Sequence, residues 1–311
     1  MAIADIDMTG RRATGPGALQ WGAIVLLGIT WGATFVGINV ALEGFTPLWV
    51  AAGRLALGGA LLAALSGFVP RAETAPADGS RWPWLLFIGS VGAALPFFLL
   101  SWGQLHVSSG FAGVTMASVA LMVLPLAHLL VPGERMTPWK AAGVAVGFAG
   151  VVTLFSGRFE GGGHLLGQLA CVGGAACYAM ASIATRLCPP MDPVRLAAGQ
   201  LVVGAAIVVP IALLHEGPPP VPEMRPLVAL ALLALIPTAT ANLLRVFVIR
   251  TAGPQFMSMT NYMVPIWAVI FGAALLGEGT PPTLLAALVL ILSGIAVTRG
   301  AEIAARLRRR P

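Results

Sequence analysis

The sequence predicts an all-α integral membrane protein whose ten transmembrane helices form two inverted five-helix repeats. Apolar residues make up 58% of the 311 residues and charged residues only 10%, whereas about a quarter of a soluble domain is charged. Apolar runs of about 20 residues, long enough to cross a hydrocarbon core of about 30 Å, recur along almost the whole chain. Strand-like alternation is absent, so helices are expected to satisfy the backbone in the lipid bilayer.

Ten apolar runs are predicted to be the membrane helices, and the breaks between them are short and rich in Gly, Pro and charged residues. The first run is too long for the core of a signal peptide and lacks a cleavage site, so we expect it to be retained. The predicted spans are 20–42, 47–68, 82–104, 109–131, 138–156, 165–187, 193–214, 226–250, 254–276 and 281–299.

Basic residues are distributed unevenly between the two sides of this topology. With the N-terminus inside, fourteen of the eighteen Arg and Lys residues fall in cytoplasmic segments. The positive-inside rule therefore predicts that both termini are cytoplasmic. It also explains the net charge of +6 without a nucleic-acid partner.

A repeated motif indicates that the chain contains two copies of one unit. The stretch TPLWVAAGRLALGGA at 46–60 returns without a gap as DPVRLAAGQLVVGAA at 192–206, with Gln200 in place of Arg54. Five spans per copy is an odd number, so the second copy is expected to enter the membrane upside down. Inverted repeats are typical of secondary transporters, whose substrate site lies near the midplane between the halves.

The repeat divides the chain into four predicted segments. They are a cytoplasmic tail at 1–19, a first repeat at 20–157, a second repeat at 164–299 and a basic cytoplasmic tail at 300–311.

Several features at matching spacings resemble the EamA-type drug/metabolite transporter superfamily over residues 20–299. Within it, the chain is most similar to bacterial amino-acid exporters, including those for aromatic amino acids. The resemblance implies two EamA-like repeats, and a monomer of ten helices as a sufficient unit. The residues that carry it are Trp31-Gly32, Arg54, Pro265 thirteen positions before Glu278, and the pairs Gly133-Glu134 and Gly277-Glu278 that precede the last span of each repeat.

The first repeat departs from this pattern in its fourth span. Leu121 occupies the position that aligns with Pro265, and the proline of this span is Pro125, one helical turn later. The fourth helix is therefore expected to bend at a different place from the ninth.

Polar and aromatic residues near the span midpoints are the candidate substrate site. Trp31 and Tyr178 occupy equivalent central positions, although large amphipathic rings favour the membrane interface. Polar groups inside a membrane mark transport pathways; the alternative for each residue is that it only packs helices together. The predicted substrate-binding residues are Trp31, Thr34, Arg54, Tyr178, Gln200, Asn242, Asn261, Tyr262 and Trp267, and Pro125, Pro237 and Pro265 are predicted to bend their helices.

Arg54 lies seven residues after the proline that opens its span, which corresponds to a depth of about 10 Å. A charged residue at this depth is expected to face the protein interior. Two roles stay open: it bonds carbonyls at helix ends, or it contacts a substrate carboxylate in the outer half of the pathway.

The sequence lacks the motifs of several other functional classes. It has no P-loop for ATP, no intramembrane catalytic constellation and no metal-ligand spacing. Its twelve Asp and Glu residues all lie in loops, tails or span ends, so we expect no carboxylate-based ion site. Neither a cofactor nor a metal is expected, and the protein is predicted not to be an enzyme.

The predicted function is a secondary transporter of the bacterial inner membrane that exports amino acids or related small metabolites by alternating access. A multidrug or other metabolite transporter of the same fold, or an importer, is the alternative.

Overall fold

The computed structural model describes residues 16–67, 81–156 and 164–308, and all its regular elements there are helices. Most of the predicted N-terminal tail and nearly all of the predicted connection 69–81 lie outside these ranges, as do positions 157–163 and 309–311. The helices are α1 (Ala18–Ala41), α2 (Pro47–Ser66), α3 (Trp82–Gly103), α4 (Ser109–Leu130), α5 (Pro138–Ser156), α6 (His164–Leu187), α7 (Pro193–Glu216), α8 (Met224–Ala252), α9 (Thr260–Leu276) and α10 (Pro282–Arg308).

Eight helices, α1 to α8, are long and apolar enough to cross a membrane, and two shorter apolar stretches follow them, Thr260–Leu276 (α9) and Pro282–Thr298 (the first part of α10). The predicted run 254–276 was expected to be one helix, but the structure divides it. Gly253, with a φ of +86°, ends α8, and Pro254–Met257 forms a single turn before α9 begins at Thr260. A residue with this φ cannot continue a right-handed helix, which explains the end of α8. The predicted run itself is divided by a turn at Ser258 and Met259.

The repeated motif begins with a helix cap in both copies. The Thr46 hydroxyl accepts a hydrogen bond from the Trp49 N–H at the start of α2, and the Asp192 carboxylate accepts from the N–H groups of Val194 and Arg195 at the start of α7. A proline follows each cap at the first helical position, where its missing N–H is not needed. The motif therefore fixes where each helix enters the membrane.

The two repeats pack together in a pattern that is preserved when their helices are exchanged. Equivalent helices contact each other in the pairs α2–α7, α4–α9 and α5–α10. The contact of α1 with α9 is matched by that of α6 with α4, and the contact of α1 with α8 by that of α6 with α3. The two halves are thus related by an approximate two-fold exchange.

Contacts between loops and helix ends define two opposite faces of the molecule. One is called the Glu278 face and the other the Glu134 face. The Glu278 face is joined by the Arg225–Glu43 ion pair (3.3 Å), by the hydrogen bond from Thr46 to Glu216 and by the bond from the Ser109 N–H to Glu278 (2.7 Å). The Glu134 face is joined by the ion pairs Arg186–Glu134 (2.5 Å) and Arg250–Asp192 (2.7 Å).

These contacts fix the directions of equivalent helices. The end of α1 lies near Glu43 on the Glu278 face, whereas the end of α6 lies at Arg186 on the Glu134 face. Equivalent helices therefore run in opposite directions, as an inverted repeat requires. The hydrogen bond from Arg186 holds the pKa of Glu134 below its ordinary value, so this carboxylate stays ionised and paired at neutral pH.

The backbones of α5 and α10 approach each other closely between the repeats. A Cβ atom added to Gly294 would lie 2.5 Å from both the Gly143 carbonyl oxygen and the Gly147 N–H nitrogen. Both atoms belong to the backbone of α5, so they have little freedom to move aside. Small residues at such crossings are typical of packed membrane helices.

We predict that Gly294→Ala lowers the free energy of unfolding by about 1–3 kcal/mol, because the added methyl group overpacks the α5–α10 contact. The matched control is Gly22→Ala, which lies on the exposed side of α1 with no atom within 4 Å of its added Cβ. Unfolding of the detergent-purified variants, followed by circular dichroism, measures the difference. Equal stability of the two variants would contradict the packing argument.

Candidate functional site

A cavity of about 370 Å³ lies between the two repeats, within the range of small-molecule sites. Its walls come from α1 to α4 and from α6 to α9, while α5 and α10 lie outside it. The polar and aromatic residues that line it are Trp31, Thr34, Phe35, Arg54, Phe97, Tyr178, Ser182, Thr185, Gln200, Thr238, Asn242, Arg245 and Asn261.

The structure brings together most of the residues that the sequence marked as substrate-binding. The predicted residues that line the cavity are Trp31, Thr34, Arg54, Tyr178, Gln200, Asn242 and Asn261, together with Pro237 and Pro265. That these residues bind substrate stays a prediction.

Three predicted residues lie away from the cavity. Tyr262 packs against the apolar cluster around Phe111, because a one-residue step from Asn261 turns a side chain by about 100° around α9. Trp267 packs closely against Gly32 and stacks on Phe271, with ring centroids 5.2 Å apart. Pro125 lies inside α4 but does not contribute to the wall.

A π-helical segment in α8, Ala234–Thr240, forms one side of the cavity and contains Pro237. Because proline has no N–H, it cannot bond the carbonyl of Leu233 four residues earlier. The Thr238 hydroxyl donates to that carbonyl instead (2.8 Å). The indole N–H of Trp31 donates to the Pro237 carbonyl (3.2 Å) and so ties α1 to this segment.

The equivalent helix α3 contains a second π-helical segment, Ser90–Ala94, just before Pro96. Pro96 leaves the carbonyl of Gly92 without its usual helical donor. The Gln200 side chain of α7 donates to this carbonyl over 2.7 Å. Irregular backbone at this depth is therefore satisfied by a side chain from the other repeat, as a membrane protein requires.

Arg54 makes the matching contact from the first repeat to the second. Its Nη2 donates to the Thr238 hydroxyl over 3.4 Å. The pair Arg54 and Gln200 is separated by 146 positions, and so is the pair Gly92 and Thr238. The repeated motif thus places one donor of each repeat on the π-helical segment of the other. A bond to helix-end carbonyls, one of the two roles expected for Arg54, is not its contact here.

The Arg54 guanidinium is buried, with only 5% of the residue exposed. Its Cζ lies 4.1 Å from the centroid of the Phe97 ring, a cation–π contact. Its Nε is buried without a hydrogen-bond partner. In the part of the chain that the structure describes, no carboxylate pairs with Arg54.

Two polar stripes with helical spacing face the cavity, and sequence reasoning missed most of their members as site residues. On α8 the stripe is Thr238, Asn242 and Arg245; on α6 it is Tyr178, Ser182 and Thr185. Steps of four and three residues place side chains on one face of a helix. This spacing was a visible signal in the sequence for Ser182, Thr185, Thr238 and Arg245.

The cavity is closed towards the Glu278 face. The Phe35 carbonyl accepts hydrogen bonds from the Gln104 side chain (2.7 Å) and the Ser109 hydroxyl (3.3 Å). Glu278 accepts from the backbone N–H groups of Ser109 (2.7 Å) and Gly110 (3.1 Å), which open α4. A carboxylate is stabilised at such a helix N-terminus. The Glu278 bonds join the two repeats over the closed end, and the bonds to the Phe35 carbonyl hold helices of the first repeat together there.

The cavity opens towards the Glu134 face. Arg245 and Asn261, which line this end, are exposed, whereas Phe35 and Arg54 at the other end are buried.

Two of the residues that line the described cavity are arginines, and none is acidic. Among the described residues, no group of three His, Cys, Asp or Glu side chains is arranged to hold a metal ion.

We predict that Thr238→Val lowers the free energy of unfolding by about 1–3 kcal/mol, because the Leu233 carbonyl and a guanidinium N–H both lose a partner. Thr240→Val is the matched control: its hydroxyl also bonds a carbonyl of the π-helical segment (2.8 Å), but it is exposed and does not contact Arg54. Chemical denaturation in detergent micelles measures both variants. A loss no greater for Thr238→Val than for Thr240→Val would show that the Arg54 contact is not stabilising.

We also predict that Glu278→Ala loosens the closed end. Hydrogen exchange at the Ser109 and Gly110 amides should become faster, because both lose their carboxylate acceptor. Glu43→Ala is the control, since its ion pair with Arg225 lies on the same face but is exposed. Unchanged protection at the start of α4, measured by mass spectrometry, would contradict this role of Glu278.

Comparison with known proteins identifies the fold and the family of this chain. The model of the EamA-like transporter family matches residues 20–156 and again residues 165–300. A protein of known crystal structure superposes with a TM-score of 0.61 over 94% of this chain and 98% of its own, at 22% identity. The double match fits the exchange symmetry of the helices.

Two relatives extend this comparison. The uncharacterized inner membrane transporter YedA of Escherichia coli is 26% identical over 265 residues, which cover 83% of each chain. A probable terminal-alkyne amino-acid exporter of Streptantibioticus cattleyicolor is 26% identical over 286 residues, which cover 88% of this chain and 91% of the relative. With the apolar helices, these matches identify a multi-pass inner membrane protein that is a transporter and not an enzyme.

Proposed function

Because the chain belongs to the EamA-like transporter family, we propose that it is a secondary transporter that exports amino acids, aromatic ones among them, or related small metabolites by alternating access. The observation that carries this proposal is the cavity. It lies between two exchange-related repeats, is closed at one face and is open at the other. This is the arrangement expected of a substrate site that is exposed to one side at a time.

The basic residues support a cytoplasmic location for the Glu134 face and for both termini. In the described connections of the Glu278 face, the only Arg or Lys residue is Arg225. Positive-inside topology then makes the cavity inward-facing in this structure. The basic residues described at the Glu134 face include Arg81, Arg135, Lys140, Arg186, Arg195 and Arg250.

The lining suits a small organic molecule with a polar head and an apolar side chain. Phe97, Leu100 and Met116 supply apolar surface, while Gln200 and Asn242 supply amides. The Streptantibioticus relative, named as a probable amino-acid exporter, supports this substrate class. One chain supplies the whole cavity, so a monomer is sufficient for transport.

Transport from the inward-facing state requires the closed end to open. The bonds of Glu278 to the start of α4 and of Gln104 to the Phe35 carbonyl would break, and the Glu134 face would close. The exchange symmetry of the two repeats supplies the outward-facing arrangement, since each repeat then takes the packing of the other.

The test is substrate flux in proteoliposomes with a panel of amino acids and related metabolites. We predict that Trp31→Ala lowers efflux about tenfold, because it removes a cavity wall and the hydrogen bond to Pro237. Trp139→Ala, on the exposed side of α5 (66% exposed), is the control. No flux of any panel member by the wild-type protein would overturn the proposed function; normal flux by Trp31→Ala would overturn the site.

A further inference from the structure

The charge of the cavity points to a narrower class of cargo. We propose that the transported molecule carries a net negative charge, that its carboxylate is met by Arg245 near the open end and bound by Arg54 deeper in the cavity, and that the membrane potential drives its export without a coupling ion. This inference rests on the proposed function, because it takes the cavity as the transport route. N-acylated amino acids, acidic amino acids and aryl or alkyl carboxylates all belong to this class.

Arg54 is the buried cation of the proposed anion site. A guanidinium stays protonated in proteins, so Arg54 is a permanent cation inside the membrane region. It lies over the Phe97 ring (4.1 Å) and makes one long hydrogen bond to a neutral hydroxyl (3.4 Å), and its Nε has no partner. A buried cation without a counter-ion is unfavourable unless an anion binds beside it. A substrate carboxylate would supply that anion through charge-assisted hydrogen bonds.

Arg245 is the accessible cation of the proposed anion site. It lies on the cavity face of α8, seven residues after Thr238, or about 10 Å along the helix. Its side chain is exposed, and it has no hydrogen-bond or ion-pair partner among the described residues. An anion entering from the open end would therefore meet Arg245 first and Arg54 deeper in the cavity.

Among the residues that the structure describes, no carboxylate neutralises these two arginines. Asp192 pairs with Arg250 at 2.7 Å and Glu134 pairs with Arg186 at 2.5 Å, both on the Glu134 face. Glu278 is bound to the N-terminus of α4. The cavity thus keeps two positive charges when it is empty.

A zwitterion fits this cavity less well than an anion. Its ammonium group would lie near the two guanidiniums without a carboxylate to pair with. The Pro237 carbonyl already accepts from Trp31, and the Thr238 carbonyl accepts from Asn242 (2.6 Å). Like charges placed close together in a site of low dielectric repel strongly. A carboxylate cargo without an ammonium group avoids this repulsion, and in an acidic amino acid the second carboxylate offsets it.

An anionic cargo also supplies the driving force. Each monoanion exported moves one negative charge outward, in the direction favoured by an inside-negative potential. A potential of about 100 mV supports an outward concentration gradient of about 50-fold for one charge. Export therefore needs no proton or sodium site, which agrees with the absence of Asp and Glu from the described lining.

The test compares matched cargo pairs in proteoliposomes with a potential set by a potassium gradient and valinomycin. The pairs are glutamate with glutamine, which differ in charge with little change of shape, and N-acetylphenylalanine with phenylalanine, in which an acetyl group removes the positive charge. We expect faster flux of the anionic member, towards the positive side, with reversal when the potential is reversed. Faster flux of the neutral members, or flux of the anions that ignores the potential, would overturn the inference while leaving the proposed function intact.

Substituted variants distinguish the effect of a charge inside the cavity from the effect of a charge on the surface. Arg245→Gln should lower the preference for the anionic member about tenfold, because one charge-assisted bond is lost. Arg54→Gln should do the same, and Arg245→Gln keeps the test valid if Arg54→Gln does not fold. Arg195→Gln, which is exposed on the Glu134 face outside the cavity, is the control. Equal preference in Arg245→Gln and Arg195→Gln would overturn the assignment of the anion site.

Discussion

A backbone carbonyl inside the hydrocarbon must have a donor, and this constraint organises the centre of the molecule. Pro96 and Pro237 each leave a carbonyl without its usual helical N–H, and each accompanies a π-helical segment. One carbonyl is bonded by Gln200 from the other repeat. The other is bonded by Thr238, whose hydroxyl in turn accepts from Arg54. The site where the helices are least regular is thus also where the repeats hold each other and enclose the cavity.

The same constraint explains how the cavity acquires its charge. Arg54 and Gln200 occupy equivalent positions and make equivalent contacts, but only one of them is a cation. A position that needs only a hydrogen-bond donor therefore also sets the electrostatics of the site. Arg245 adds a second positive charge from α8, and no carboxylate among the described residues pairs with it. Two repeats with one fold consequently build a cavity that is symmetric in packing and asymmetric in charge.

Much of the fold could be predicted from the sequence, whereas the directions of the side chains were predicted less accurately. Hydropathy and the capped starts at Thr46 and Asp192 define the helices, and depth along a span brings Trp31 and Tyr178 to the cavity. Depth along a span does not give the direction of a side chain: Tyr262 is one residue from Asn261 yet faces a different cluster, because neighbouring residues of a helix point about 100° apart. The π-helical segments were not predicted, since the donors that satisfy them come from helices about 100 positions or more away in sequence.

The most direct measurement of the central claim is the electrostatic potential inside the cavity. Ser182→Cys, in a background with Cys171, Cys177 and Cys188 changed to serine, places one thiol on the cavity wall; Thr137→Cys places one outside it on the Glu134 face. Reaction rates with anionic and cationic methanethiosulfonate reagents report the potential at each thiol. We predict that the anionic reagent is favoured at position 182 relative to position 137, and less so after Arg245→Gln. Equal rates with the two reagents at position 182, unchanged by Arg245→Gln, would contradict a cationic cavity.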